Sequence, residues 1–240
     1  MVHVGIIETG QPHEHLAAQY GYFPDMFRNY FSKFPGMTFS TYQVFNGVPV
    51  PDPDSCDAWI ITGSPHAVYE SHAWLPPMMS MIRTALDRDS RMLGICFGHQ
   101  LMAHACGGLV KKSERGWGIG VHEYAVTQAG QNVIALGEKL NLLASHQDQV
   151  EVMPERGTLL AQSAFCPHAA IAYGKSGLSF QGHPEFTDIF ARESISFRRR
   201  EGMIPEQIAD AGLMTLDGRM VDADQLAPVL ARFLMRQEAR

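Results

Sequence analysis

Reactive chemistry in this chain gathers at Gly94-Ile95-Cys96-Phe97-Gly98-His99-Gln100, a cysteine with a glycine two residues away on either side. Arg91 to Ile95 is a short apolar run that reads as a buried strand, and Gly98 to Cys106 reads as a helix. Cys96 therefore falls on the turn between them. G-x-C-x-G in that setting is the thiol counterpart of the G-x-S-x-G elbow, a turn so tight that the nucleophile is thrust out above the sheet and its neighbours must be small. At a helix N-terminus, free N–H groups and the helix dipole favour a thiolate. The backbone N–H of Phe97 is placed to meet a polarised amide oxygen, as one half of an oxyanion hole. The plainer alternative is an inert, buried cysteine at a strand end, and only a base can decide against it.

A base stands far downstream, in Ser179-Phe180-Gln181-Gly182-His183-Pro184-Glu185-Phe186. Gly177 to Gln181 reads as another strand, so His183 follows a strand's carboxyl end, where active-site groups of α/β sheets collect. Pro184 restricts His183 to extended backbone angles and so helps to aim the imidazole. Glu185 is placed to accept the proton of the far ring nitrogen and hold the tautomer. Cys96, His183 and Glu185 together make a set for thiol acyl transfer.

The two segments, G-I-C-F-G-H-Q and Q-G-H-P-E-F, resemble those of the class I, triad-type glutamine amidotransferases. The likeness is greatest to stand-alone members similar to the amidotransferase domain of GMP synthetase, and it runs from Val2 to about Asp188. It implies a flavodoxin-like α/β fold of three layers: a mostly parallel central sheet, flanking helices, antiparallel edge strands and a C-terminal helical tail. It also implies an amidotransferase domain over 1–188 and a helical extension over 189–240 packed on that domain. Many relatives carry Gly-Gly-Pro where this chain has Thr62-Gly63-Ser64-Pro65. By resemblance the Gly63 N–H is the second oxyanion donor, and Gln100 helps to fix the bound glutamine. A segment Ser145-His146-Gln147-Asp148-Gln149-Val150 resembles the family's S-H-x-D-x-V, whose main chain holds the substrate's amino-acid end. Those contacts map onto Gln147 and Asp148. His146 is a rival base, but no carboxylate flanks it in the right register.

The elements that must position these groups follow from the hydrophobic pattern. Val2 to Ile7, Met37 to Phe45 and Asp57 to Thr62 read as strands, the last ending at Gly63. Glu8 to Asn29 reads as a loop running into a helix, with Phe23, Phe27, Tyr30 and Phe31 spaced as a core face. His13, Glu14 and His15 sit where a loop borders a site. Trp74 to Asp87 is a helix with Leu75, Met78, Met79, Ile82 and Leu86 inward. Leu101, Met102 and Ala105 of the elbow helix face the sheet. After Gly107-Gly108 the short runs Leu109-Val110, Ile119 to Val126, Val150 to Met153, Thr158 to Ala161 and Ala169 to Tyr173 suggest antiparallel edge strands. The tail reads as three helices. The first spans Thr187 to Glu201 with a cap at Thr187 or Asp188, and the second Pro205 to Ala211. Asp224 caps the third, in which Leu226, Val229, Leu230, Phe233 and Leu234 dock on the domain while Arg232, Arg236 and Arg240 face away.

Composition narrows the function classes. The chain has 240 residues, 45% hydrophobic and 18% charged, as an ordinary globule with a full core has. A net charge of −6 argues against a nucleic-acid partner, and Arg198-Arg199-Arg200 reads as a solvated helix face. No apolar stretch is long enough for a bilayer span and the chain starts on a strand-like run, so a cytoplasmic location is expected. The four cysteines lack C-x-x-C spacing and read as free thiols, and the eleven histidines lack paired zinc spacing. Neither a metal nor a cofactor is expected. With no G-x-x-x-x-G-K-[ST] loop, the chain shows no ATP-dependent amination of its own. Three functions remain open. The first is a glutaminase that releases ammonia, with a separate synthetase as a possible acceptor. The second is a free-standing γ-glutamyl amide or peptide hydrolase. The third is a non-catalytic module on the same fold.

Overall fold

The computed structural model describes residues 1–235. Its strands are β1 (Val2–Glu8), β2 (Met37–Gln43), β3 (Ala58–Ile61), β4 (Arg91–Ile95), β5 (Leu109–Lys112), β6 (Gly118–Val126), β7 (Lys139–His146), β8 (Asp148–Val152), β9 (Gly157–Gln162), β10 (Ala170–Tyr173) and β11 (Gly177–Phe180). Its helices are α1 (Glu14–Tyr20), α2 (Phe23–Tyr30), α3 (Leu75–Asp87), α4 (Phe97–Ala105), α5 (Gln128–Ile134), α6 (Asp188–Arg200), α7 (Glu206–Gly218) and α8 (Ala223–Leu234). Nine strands form one sheet in the order β2-β1-β3-β4-β11-β10-β9-β6-β7. The first five run parallel. The remaining four are antiparallel to their neighbours.

The parallel strands read as unbroken apolar runs because both faces are covered. Val4, Ile6, Ile60, Leu93 and Ile95 turn to one side, against Phe27 and Phe31 near α2 and Leu226, Leu230 and Leu234 of α8. Ile7, Trp59, Ile61 and Met92 turn to the other, against Met78 and Ile82 of α3 and Leu101 and Met102 of α4. A third cluster joins α1, α6 and α7 to Ile119, Val121 and Leu143 on the antiparallel side. Among the described residues no helix is long and apolar enough to cross a membrane.

The departures from the sequence reading have local causes. Leu109-Val110 and the Val150 run do not join the main sheet: β5 and β8 pair only with each other, as a separate two-stranded ribbon. Two elements were not foreseen, α5 and β7, and Glu8 to Asn29 holds two helices. The second strand ends at Gln43, where Val44–Asn46 turns as a 3-10 helix closed by Gly47 at φ 85°. In α3, Met81 is buried and Met79 only half-buried, and α7 runs on to Gly218. Thr187 caps α6, its hydroxyl accepting from the Phe190 N–H at 3.2 Å. Asp222, not Asp224, occupies the cap position of α8, and its carboxylate accepts from the Asn141 N–H at 2.7 Å, tying the helix to β7. Arg232 is exposed, and Arg236 and Arg240 lie outside the described residues.

Candidate functional site

Three neighbouring parallel strands, β3, β4 and β11, end at the same rim of the sheet and deliver Gly63, Cys96 and His183 there. This is where α/β sheets gather ligands. Cys96 sits between β4 and α4 at φ 54° and ψ −102°. A non-glycine residue rarely adopts such angles, and the surroundings must enforce them. They do so by close packing. A Cβ on Gly98 would lie 2.4 Å from the Ile61 carbonyl oxygen, and one on Gly94 would lie 2.6 Å from that of Gly98. Cys96 also donates its N–H to the Phe180 carbonyl at 2.8 Å, which ties the elbow to the strand that carries the histidine. Phe97 is the first residue of α4, so its N–H has no partner within the helix.

His183 is fixed from three directions. Its backbone N–H donates to the Leu143 carbonyl of β7 at 2.7 Å. Its Nδ1 meets Glu185 Oε1 at 2.7 Å, with both side chains buried. Its ring lies flat on Phe186, centroids 3.8 Å apart and planes within 8°. The Cys96 sulfur lies close enough for its charge to act on the imidazole. Burial alone would push the imidazole's pKa down. The Glu185 carboxylate and the Cys96 sulfur outweigh burial and raise it to about 10.

Gly63 closes the same space. A methyl group added there would stand 3.1 Å from His183 Cε1 and 3.8 Å from Cys96 Cβ. The carbonyl of Thr62 accepts from the Gly98 N–H at 3.2 Å and from the Thr9 hydroxyl at 3.1 Å. In a trans peptide the following N–H points the opposite way, so these two bonds set the direction of the Gly63 N–H. The Ser64 hydroxyl donates to the Thr9 carbonyl at 2.7 Å, so serine in place of the family's second glycine stitches this turn to the end of β1.

These groups open onto a cleft of about 650 Å³, lined also by Gln100, Gln147 and Asp148. Gln100 Nε2 donates to the Asp148 carbonyl at 2.8 Å and to Gln181 Oε1 at 3.1 Å, so it pins the tip between β7 and β8 to the elbow helix. Burial raises the Asp148 carboxyl's pKa, against the opposing effect of the Tyr69 hydroxyl. His146 lines the cleft without a carboxylate partner. Its Nδ1 meets the Asp148 carbonyl at 3.2 Å, and burial, then His122, lowers its pKa to about 3, so it stays neutral. His13 borders the cleft against Phe197, with ring centroids 4.3 Å apart; His15 stacks on the same ring at 6.1 Å without lining the cleft, and Glu14 is exposed at the start of α1. Phe23 belongs both to the core and to the cleft wall, while Phe27 and Phe31 are wholly core.

The arginine run departs most from its reading as a solvated face. Arg199 and Arg200 fit that reading, but Arg198 lines the cleft. Its guanidinium lies 5.6 Å from the Trp117 ring and donates to the hydroxyls of Ser145 and Ser194. No local pattern marks it. Only the packing of α6 against α1 and α7, beside Ser145 of β7, turns this residue inward. Among the described residues one trio, His66, Glu70 and His72 at the cleft mouth, brings three ligand-capable atoms within 4.8 Å of one another. Both histidines there face the Glu70 carboxylate, at 3.3 and 2.7 Å, so hydrogen bonding accounts for the cluster.

Comparison with known proteins gives a consistent result. Residues 41–199 match the family described as glutamine amidotransferase class-I. The chain is 27% identical to a glutamine amidotransferase-like protein of Schizosaccharomyces pombe, over 97% of this chain and 98% of that one. It is 29% identical to gamma-glutamyl peptidase 5 of Arabidopsis thaliana, over 76% and 75% of the two chains. A solved glutamine amidotransferase from Methylobacillus flagellatus shares the fold, with a TM-score of 0.75 at 20% identity, covering 100% of this chain and 96% of the other.

Proposed function

Because the chain belongs to the class-I glutamine amidotransferase family, we propose that it hydrolyses the amide bond of a γ-glutamyl compound through a thioester on Cys96. The observation that carries this reading is the strained elbow at Cys96 beside an imidazole whose far nitrogen meets a buried carboxylate. In the first step the Cys96 thiolate adds to the γ-carbonyl carbon. The N–H groups of Phe97 and Gly63 receive the developing oxyanion. His183 gives its proton to the nitrogen as the C–N bond breaks, and Glu185 steadies the imidazolium. His183 then takes a proton from water, which attacks the thioester and releases the γ-carboxylate of glutamate. The route needs only protein groups and water. We assign it to residues 1–188, with the helical segment 189–240 supplying one wall of the cleft through α6. Gln100, Gln147 and Asp148 form the end of the cleft that takes the amino-acid part of the substrate.

Two substrate classes satisfy this chemistry. Glutamine would release ammonia, for a separate synthetase or to solution, and a larger γ-glutamyl amide would release an amine. The volume of the cleft favours the larger class, since about 650 Å³ is a size that holds drug-sized ligands. So does the likeness to a protein named gamma-glutamyl peptidase. The test is glutamate and amine release by purified protein from glutamine and a series of γ-glutamyl amides. The proposal predicts turnover that Cys96→Ala abolishes, with γ-glutamyl amides preferred to glutamine. No turnover of any of these, alone or with cell extract, would leave a non-catalytic module.

A further inference from the structure

The proposed hydrolase has two sides to its cleft, and one of them holds a cation that has no carboxylate partner among the described residues. Helix α6 carries several arginines. Arg192 has two carboxylate partners, Asp188 and Asp217, and Arg199 likewise has Glu206 and Asp210. Arg198, half-buried on the cleft side of the same helix, has no carboxylate within ion-pair distance among the described residues. Among the described residues its hydrogen bonds come from Nη2 and go to two neutral hydroxyls, Ser145 and Ser194. A guanidinium has five N–H donors in a fork that matches a carboxylate, so most of its capacity is unspent. Burial pushes its pKa down, and the ionisable group its charge reaches is the Cys96 sulfur. A desolvated charge without a counter-ion is costly to keep. A bound anion would remove that cost.

The position of Arg198 says which part of a substrate it meets. The leaving amine must lie beside His183, because that imidazole protonates it. The His183 ring rests on Phe186, and Phe186 packs on Phe190 at 4.6 Å. From there Phe190, Ser194, Phe197 and Arg198 follow along the face of α6 that lines the cleft. A group leaving past His183 therefore runs over an apolar, aromatic wall and ends at a cation. We propose that Arg198 binds a carboxylate carried by the leaving amine, so that the preferred substrates are γ-glutamyl peptides with a free C-terminal carboxylate. This rests on the hydrolase reading and adds the substrate class to it.

The test compares kcat/KM for a γ-glutamyl amino acid, its C-terminal carboxamide and glutamine, in the wild type, Arg198→Met and Arg198→Lys. A charge-assisted hydrogen-bonded pair predicts a wild-type preference for the free acid over the carboxamide of roughly ten- to a hundredfold. Arg198→Met collapses that ratio towards one, mainly by raising KM for the acid, and Arg198→Lys restores part of it. An equal loss on all three substrates would overturn the inference and make Arg198 a holder of the γ-glutamyl unit or of the fold. A wild type that turns over acid and carboxamide alike would overturn it without any variant. No turnover of any substrate would instead defeat the parent reading.

Discussion

The parallel and antiparallel halves of the sheet divide the work differently. In the parallel half, short motifs decide the outcome. The strands β3, β4 and β11 lie side by side, each ends in a turn of special residues, and the three turns meet. In the antiparallel half the decisive contacts are distant in sequence. Leu143 of β7 holds the backbone of His183, Asp222 ties α8 to β7, and α6 brings Arg198 over the cleft. The proposed chemistry thus rests on local backbone geometry, and the shape of the site on packing between remote segments.

Substitutions should separate these roles, beginning in the parallel half. Cys96→Ala removes the proposed nucleophile and should lower turnover by on the order of 10⁵-fold or more, read from glutamate release, with a melting temperature little changed. Thermal melting and turnover falling together would merge the two halves. Glu185→Gln keeps the shape but loses the charge behind His183, and should cost about 10⁴-fold, by analogy with removing the acid of a hydrolase triad. The same variant has a pH signature. The folded pKa of His183, about 10, lies above its ordinary 6.5, so the pair's stabilisation is complete below about 6.5 and is lost as pH rises through about 10. Wild type should therefore exceed Glu185→Gln in stability by a steady margin below about pH 6.5, down to the pH at which the carboxylate itself protonates, and by less as pH rises towards about 10. The alkaline limb of kcat/KM should move to lower pH in the variant. A pH-independent stability difference would show that the pair carries no charge.

Gly63→Ala puts a methyl group 3.1 Å from the imidazole, and displacement of the proposed base by a fraction of an ångström to 1 Å should cost about 10²-fold in kcat. The smallest effect on chemistry is expected far from the rim. Leu230→Ala empties part of the core between α8 and the sheet, and should cost about 2–5 kcal/mol in denaturant unfolding while leaving kcat intact. A large fall in kcat there would mean that distant packing steers the nucleophile after all.

What the sequence made legible follows the same division. The elbow and the histidine turn stood out because each is a local signal, an apolar run followed by a glycine, cysteine or proline at a fixed offset, and the flavodoxin-like core followed from the resemblance those two motifs carry. The cap of α8 was misplaced by two residues because Asp222 and Asp224 are chemically alike, and only the contact with Asn141 tells them apart. The ribbon of β5 and β8 looked like sheet because strand propensity says nothing about partners. The strand β7 went unforeseen although it anchors His183. Arg198 was hidden for a physical reason as well: three consecutive arginines on a helix point in three directions, and the tertiary fold selects which one is buried.

The central claim is a covalent γ-glutamyl group on Cys96. Purified protein mixed rapidly with a γ-glutamyl amide, quenched in acid and examined by intact-mass and peptide mass spectrometry should carry one γ-glutamyl unit on the peptide that contains Cys96, and Cys96→Ala should carry none. Turnover with the acyl group on another residue, or with no acyl-protein at any quench time, would contradict it.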